Sequence, residues 1–122
     1  VLERFPALRV AFLEANCSWV PYWLWRMDEH WEHRERVVRD KLPLLPSEYF
    51  KRQCFASIEA EETMGKYAID WMGDEQWVFS TDFPHEDCRY PDGVATFLSQ
   101  PFPDESKRKI LWDNCARLYG MS

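Results

Sequence analysis

Short apolar runs alternate with longer stretches whose apolar positions recur every three or four residues, the pattern of βα units in series. Leu8-Arg9-Val10-Ala11-Phe12-Leu13 reads as a buried strand, with its outlet at Glu14-Ala15-Asn16-Cys17-Ser18. A long helix follows. Val20, Leu24, Met27 and Trp31 share one face of a 3.6-residue period, and Pro21 lies in the first turn, where a missing N–H costs little. Asp28, Glu29 and the segment from Glu32 to Arg36 make the opposite side charged. Pro43 and Pro46 end this unit and predict a connector.

The second run, Cys54-Phe55-Ala56-Ser57-Ile58, predicts a strand leading into Glu59-Ala60-Glu61-Glu62. Acids there favour a helix start through its dipole. Met64, Tyr67, Ala68, Trp71 and Met72 give the expected helix an apolar face, and Gly73 stops it. The third run, Trp77-Val78-Phe79-Ser80-Thr81, ends at Asp82 and enters a polar loop from Phe83 to Gly93. A short helix near Val94–Leu98 precedes Pro101 and Pro103. A last helix is expected with Asp104 as its N-cap, Ile110, Leu111 and Leu118 buried, and Gly120 at its end. Three strands with crossovers this long should be parallel and apolar on both faces.

With 122 residues the chain is one domain long enough for a core, and 30% charged residues against 46% hydrophobic ones exclude disorder. A formal charge of -6 lacks the basic footprint of a non-specific nucleic-acid binder or an anionic-membrane anchor. No apolar run reaches the roughly 18 residues of a spanning helix, and the start carries no apolar signal-peptide core. The four cysteines, Cys17, Cys54, Cys88 and Cys115, form no CxxC pair and read as free thiols of a cytoplasmic protein. Aromatics reach 16%, a large amount for so short a chain to cover, which points to a broad packing surface.

In parallel α/β folds ligands sit at the carboxyl ends of the strands. Here those outlets carry Glu14, Glu59 and Asp82, and the last also offers His85, Glu86 and Asp87. Carboxylates gathered at one mouth need a cation, a raised pKa or an arginine. Glu59 reads mainly as a helix-start acid, and Glu14 is open between cap and site. Asp82 reads as a site residue, because Pro84 turns Phe83 away from helix and leaves Asp82 a poor cap. His85 is open between ligand, proton shuttle and loop-fixing contact. His30 and His33 read as a solvated face, and Trp19, Trp23, Trp25 and Trp31 as packing. With 4 glycines there is no phosphate loop.

Ser80-Thr81-Asp82-Phe83-Pro84-His85-Glu86-Asp87, followed by Tyr90-Pro91-Asp92-Gly93, resembles the last-strand motif of the amidohydrolase-related metal-dependent hydrolases. That family is similar to aminocarboxymuconate-semialdehyde decarboxylase and the resorcylate decarboxylases. Asn114-Cys115-Ala116-Arg117-Leu118-Tyr119-Gly120 is similar to its terminal helix, and the opening from Leu2 to Glu14 to its segment entering a middle strand. The resemblance implies a (β/α)8 barrel with a divalent metal, zinc first among them, at the carboxyl mouth. It makes Asp82 a metal ligand or the partner of the activated water. It places His85 and Asp87 near the substrate, and aligns Glu14 with a histidine ligand. The family's first-strand His-x-His pair has no counterpart here.

An eight-stranded barrel needs about 250 residues, so residues 1–122 are expected to be a single partial domain, the C-terminal portion of the TIM (β/α)8 barrel. The absence of an initiator methionine agrees with that expectation. The implied function is a metal-dependent hydrolase or decarboxylase acting on a small carboxylate or carbonyl substrate, with Asp82 and His85 catalytic and Asp82 and Glu14 on the metal. The rival readings are a non-catalytic barrel portion or interaction module, and a metal-free lyase using carboxylates alone. Unpaired strand edges predict a homo-oligomer or pairing with an N-terminal portion.

Overall fold

In the computed structural model, which describes residues 1–121, three strands form one parallel sheet in the order β1-β2-β3. They are β1 (Val10–Phe12), β2 (Cys54–Ile58) and β3 (Trp77–Phe79). Val10 pairs with Cys54, Ala56 with Trp77, and Ile58 with Phe79. Every residue of the central strand is buried, as two covered faces require. Strand side chains alternate, so Cys54, Ala56 and Ile58 face the helices while Phe55 and Ser57 face the other way. The parallel α/β expectation holds.

α1 (Trp19–His33) buries Val20 and Leu24 and half-buries Met27 and Trp31, the stripe its periodicity predicts. Ser18 holds its N-cap position without a side-chain cap bond. The short α2 (Glu35–Val38) follows. The connector expected after Pro43 is instead α3 (Pro46–Gln53). Pro46 takes the first helical position, where its missing N–H is no loss, and the Glu48 carboxylate accepts the Leu45 N–H at 2.8 Å. α3 also clamps the segment ahead of β1. Tyr49 Oη donates to Glu3 at 2.8 Å, and the buried Gln53 amide donates to the carbonyls of Phe5 and Leu8 at 2.8 and 2.9 Å. Phe12 on β1 stacks against Phe50 yet stays 40% exposed, and an apolar cavity of about 290 Å³ opens beside this edge.

α4 (Gly65–Met72) corrects a second expectation. Its buried face is Gly65, Ala68, Ile69 and Met72, whereas Tyr67 is 64% and Trp71 46% exposed. Small residues set this face: a Cβ at Gly65 would stand 3.0 Å from the Phe102 ring and 3.2 Å from Ile58 Cγ2. Close approach outweighed side-chain size. Gly73 ends the helix with φ 91°, a conformation glycine adopts freely. Trp23 and Trp25 are also about half exposed, so the packing reading holds within this chain only for Trp19 and Trp31. Trp19 lies edge-on to Phe12, and Trp31 donates its indole N–H to the Leu42 carbonyl.

After β3, α5 (Gly93–Ser99) buries Phe97 against Phe79 and Phe102. The last helix runs as α6 (Asp104–Arg108), a π-helical stretch (Lys109–Asp113) and α7 (Asn114–Tyr119). Pro103 rather than Asp104 is its N-cap residue, and Asp104 makes no cap bond. Ile110 is fully buried, Leu111 and Leu118 are half-buried, and Gly120 closes the helix in the left-handed region. The helix is fastened to the amino end of β3 by polar contacts. The buried Asn114 amide donates to the carbonyls of Asp74 and Trp77 at 2.7 and 2.8 Å. Asp74 accepts from Ser106 Oγ at 2.8 Å and Lys109 Nζ at 2.9 Å.

Candidate functional site

At the opposite end of the sheet the outlets of β1 and β3 meet. Glu14 lies two residues past β1 and Asp82 three past β3, and both backbones sit at φ 60°. That left-handed region costs a non-glycine residue of order 1–3 kcal/mol, and such strain clusters at functional sites. Asp82 N–H donates to Ser80 Oγ at 3.2 Å, and Phe83 N–H to Thr81 Oγ1 at 3.4 Å. The chain then turns back, so that His85 N–H reaches the Asp82 carbonyl at 3.0 Å. The Phe83–Pro84 and Tyr90–Pro91 bonds are cis, and the Phe83 and Tyr90 rings meet at 4.8 Å across the loop.

This turn sets the His85 imidazole on the carboxylate. Nδ1 lies 2.9 Å from both Asp82 oxygens and 3.6 Å from Glu14 Oε1. A carboxylate only accepts, so Nδ1 carries the proton. The hydrogen bond to Asp82, then its charge, raises the His85 pKa above the ordinary histidine value, and Glu14 and Asp87 act in the same direction. One ligand atom from each of Glu14, Asp82 and His85 falls within 4.8 Å of the others, the one such metal-capable group among the described residues. Asp82 is the most enclosed, its side chain 28% exposed against 65% for Glu14 and 58% for His85. With Nδ1 protonated against Asp82, the groups free to hold a cation here are the Asp82 and Glu14 carboxylates, and carboxylate oxygens suit a hard divalent ion such as manganese.

Glu59 is not a helix cap: α4 begins at Gly65, well beyond it. It lines a polar cavity of about 140 Å³ with Ser80, Thr81 and Asp87. Burial raises its pKa first, and the charges of Glu62, Asp82 and Asp87 raise it further. The remaining acids of this outlet do other work. Glu61 pairs with Arg89 at 2.6 Å, and Glu62 accepts backbone N–H groups from the β1 outlet. No local sequence signal marks Glu62, because its partners lie on a different βα unit. His30 and His33 are exposed on α1 and far from this group in role: His33 Nδ1 contacts the Glu29 carbonyl at 2.7 Å. The four cysteines are free. Burial, reinforced by Glu62, holds the Cys17 thiol well above its ordinary value, and burial pushes Cys54 up to about 11, so neither is a thiolate nucleophile.

The amidohydrolase family model matches residues 1–121, and the chain belongs to that family. Its fold is α/β, a portion of the TIM (β/α)8 barrel of that family's structures. Among curated proteins it is 23% identical over 121 residues to the 2-amino-3-carboxymuconate-6-semialdehyde decarboxylase of Dictyostelium discoideum, covering 99% of this chain and 33% of that one. Among solved structures it is similar to 5-carboxyvanillate decarboxylase from Sphingomonas paucimobilis, with TM-score 0.79 and 25% identity over 99% of this chain and 36% of that one. The 5-carboxyvanillate decarboxylase from Novosphingobium aromaticivorans, complexed with manganese and 4-hydroxy-3-methoxy-5-nitrobenzoic acid, shares the fold, with TM-score 0.76, 20% identity and coverage of 98% and 35%. The chain thus spans about a third of the length of these relatives. No helix among the described residues is long and apolar enough to cross a membrane.

Proposed function

We propose that these residues form the metal-holding limb of a metal-dependent hydrolase or decarboxylase acting on a small carboxylate- or carbonyl-bearing molecule. The observation that carries this is the convergence of Glu14, Asp82 and His85 at the strand outlets of an amidohydrolase-family fold. Glu14 and Asp82 hold the cation. The oxygen-rich donor set favours manganese over the zinc that the resemblance implied, and the manganese-containing relative supports that choice. When bound, such an ion supplies Lewis-acid polarisation of a carbonyl or carboxylate oxygen. Asp82 holds His85 by its Nδ1–H, which leaves Nε2 to exchange a proton with the substrate. Two carboxylates do not complete a coordination shell, and we assign the remaining ligands to strands that pair with the free edges of β1 and β3, from the same polypeptide or a second copy.

The test is manganese titration of the purified chain by calorimetry, with Asp82→Asn as the comparison. Stoichiometric binding lost in the variant supports the reading, and no binding in either overturns it in favour of a non-catalytic barrel portion. The Asp82–His85 hydrogen bond also favours a metal-free acid–base dyad. Turnover that survives exhaustive chelation would select it.

A further inference from the structure

We infer that Glu62 is a positioning residue for the Glu14 side of the site, acting across two βα units without touching the site itself. This rests on the reading of Glu14 as a cation ligand. Glu14 stands on a segment with little support of its own. Its φ is 60° and that of Asn16 is 56°, so two non-glycine residues out of three hold left-handed backbone between β1 and α1. No side-chain bond from Ser18 caps the helix that follows. Among the described residues, two side chains hydrogen-bond to the backbone of this segment. The Trp19 indole donates to the Asn16 carbonyl at 2.9 Å. The Glu62 carboxylate takes the rest: Oε1 accepts the N–H groups of Cys17 at 2.9 Å and Ser18 at 3.0 Å, and Oε2 lies 3.1 Å from the Cys17 nitrogen.

The same carboxylate reaches back to its own outlet, where the Glu59 N–H approaches Oε2 at 3.4 Å. Glu62 therefore joins the β1 outlet to the β2 outlet, and the two move as one piece. Charge favours the arrangement, since an anion at the amino end of the fifteen-residue α1 complements the helix dipole. Hydrogen bonds from neutral N–H donors to a charged acceptor are stronger than those to a neutral one. A neutral acceptor would hold the loop less tightly, and no acceptor would free Glu14 to leave the distance at which it shares a ligand position with Asp82.

The experiment compares the full chain with Glu62→Gln, Glu62→Ala and, as a control for general loss of stability, Asp74→Ala at the far end of the sheet. Manganese affinity is read by calorimetry, melting temperature by circular dichroism, and amide exchange at Cys17 and Ser18 by NMR or mass spectrometry. In Glu62→Ala those amides exchange about tenfold faster, as loss of a charged acceptor predicts. Manganese affinity falls about 10–100-fold, the usual effect of removing an outer partner of a metal ligand. Glu62→Gln keeps one acceptor oxygen and loses less on both readouts, while Asp74→Ala melts earlier with its affinity unchanged. Manganese binding by the parent chain that is equally tight in Glu62→Ala would overturn the positioning role and leave the metal site standing. An affinity loss in Asp74→Ala equal to that in Glu62→Ala would also overturn it. Absence of manganese binding in the parent would remove the site reading, and this inference with it.

Discussion

At the amino end of β3 the Asp74 carboxylate is filled by Ser106 and Lys109, and the Asn114 amide closes on two backbone carbonyls. At the carboxyl end Asp82 is matched by one imidazole, Glu14 is exposed beside it, and both backbones are held in the left-handed region. Residue types at the two ends are alike, but the saturation of their hydrogen-bonding capacity is not. One end converts polar groups into rigidity. The other keeps carboxylate lone pairs turned toward solvent at a local conformational cost. In barrels of this family type the first pattern marks the stability face and the second the face where ligands bind.

The contrast can be broken by exchanging stability effects for site effects. Trp77 is fully buried beside the Asp74 end, and its indole donates to the Gly73 carbonyl at 2.7 Å. Trp77→Ala should cost about 3–5 kcal/mol in denaturant unfolding. Asp82→Asn should weaken manganese by at least about 100-fold, beyond the range for outer partners, with little change in melting temperature. Asn114→Ala takes the donor from the buried Trp77 carbonyl and the partly buried Asp74 carbonyl and should cost about 1–3 kcal/mol, with manganese affinity unchanged in the variant that remains folded.

Acid and base limbs of the stability curve should separate the two ends. Burial works to raise the Asp74 pKa, but the hydrogen bonds from Lys109 and Ser106 outweigh it, so the group lies below the ordinary carboxylate value. Its stabilisation is present above that ordinary value and is lost as pH falls through the depressed one. His85 runs the other way. Its contribution is present below the ordinary histidine value and is lost as pH rises through the raised one. Thermal melts against pH should therefore lose the acid limb in Asp74→Asn and the neutral-range limb in His85→Gln. The smallest effect tests the corrected face of α4: Tyr67→Gln should change stability by less than about 0.5 kcal/mol, as an exposed position allows.

Much of this was legible from residue order. The central strand appears from Cys54 to Ile58 as its mostly apolar run predicts, and the α1 stripe follows from its periodicity. The outlet rule brought Glu14 and Asp82 into view together, although they belong to different units. What could not be read depends on contacts rather than local pattern. Pro46 looks like a break unless Tyr49, Phe50 and Gln53 are known to be buried beneath it. Ala68 and Met72 lie on the face of α4 that the pattern predicts, but Gly65 carries too little hydropathy to announce that it and Ile69, rather than Met64, Tyr67 and Trp71, complete that face. Asn114 and Glu62 act through partners elsewhere in the chain, on which their own neighbours say nothing.

The positive φ at Glu14 and Asp82 narrows the set of amino acids those two positions can accept. Valine, isoleucine and threonine are disfavoured there by their branched Cβ, whatever chemistry is wanted, whereas asparagine, aspartate and glycine enter easily. A descendant of this sequence under no demand for a carboxylate at these positions would thus be expected to drift toward glycine or asparagine at both. A library randomised at the pair should show that bias among its folded members before any selection for activity is applied.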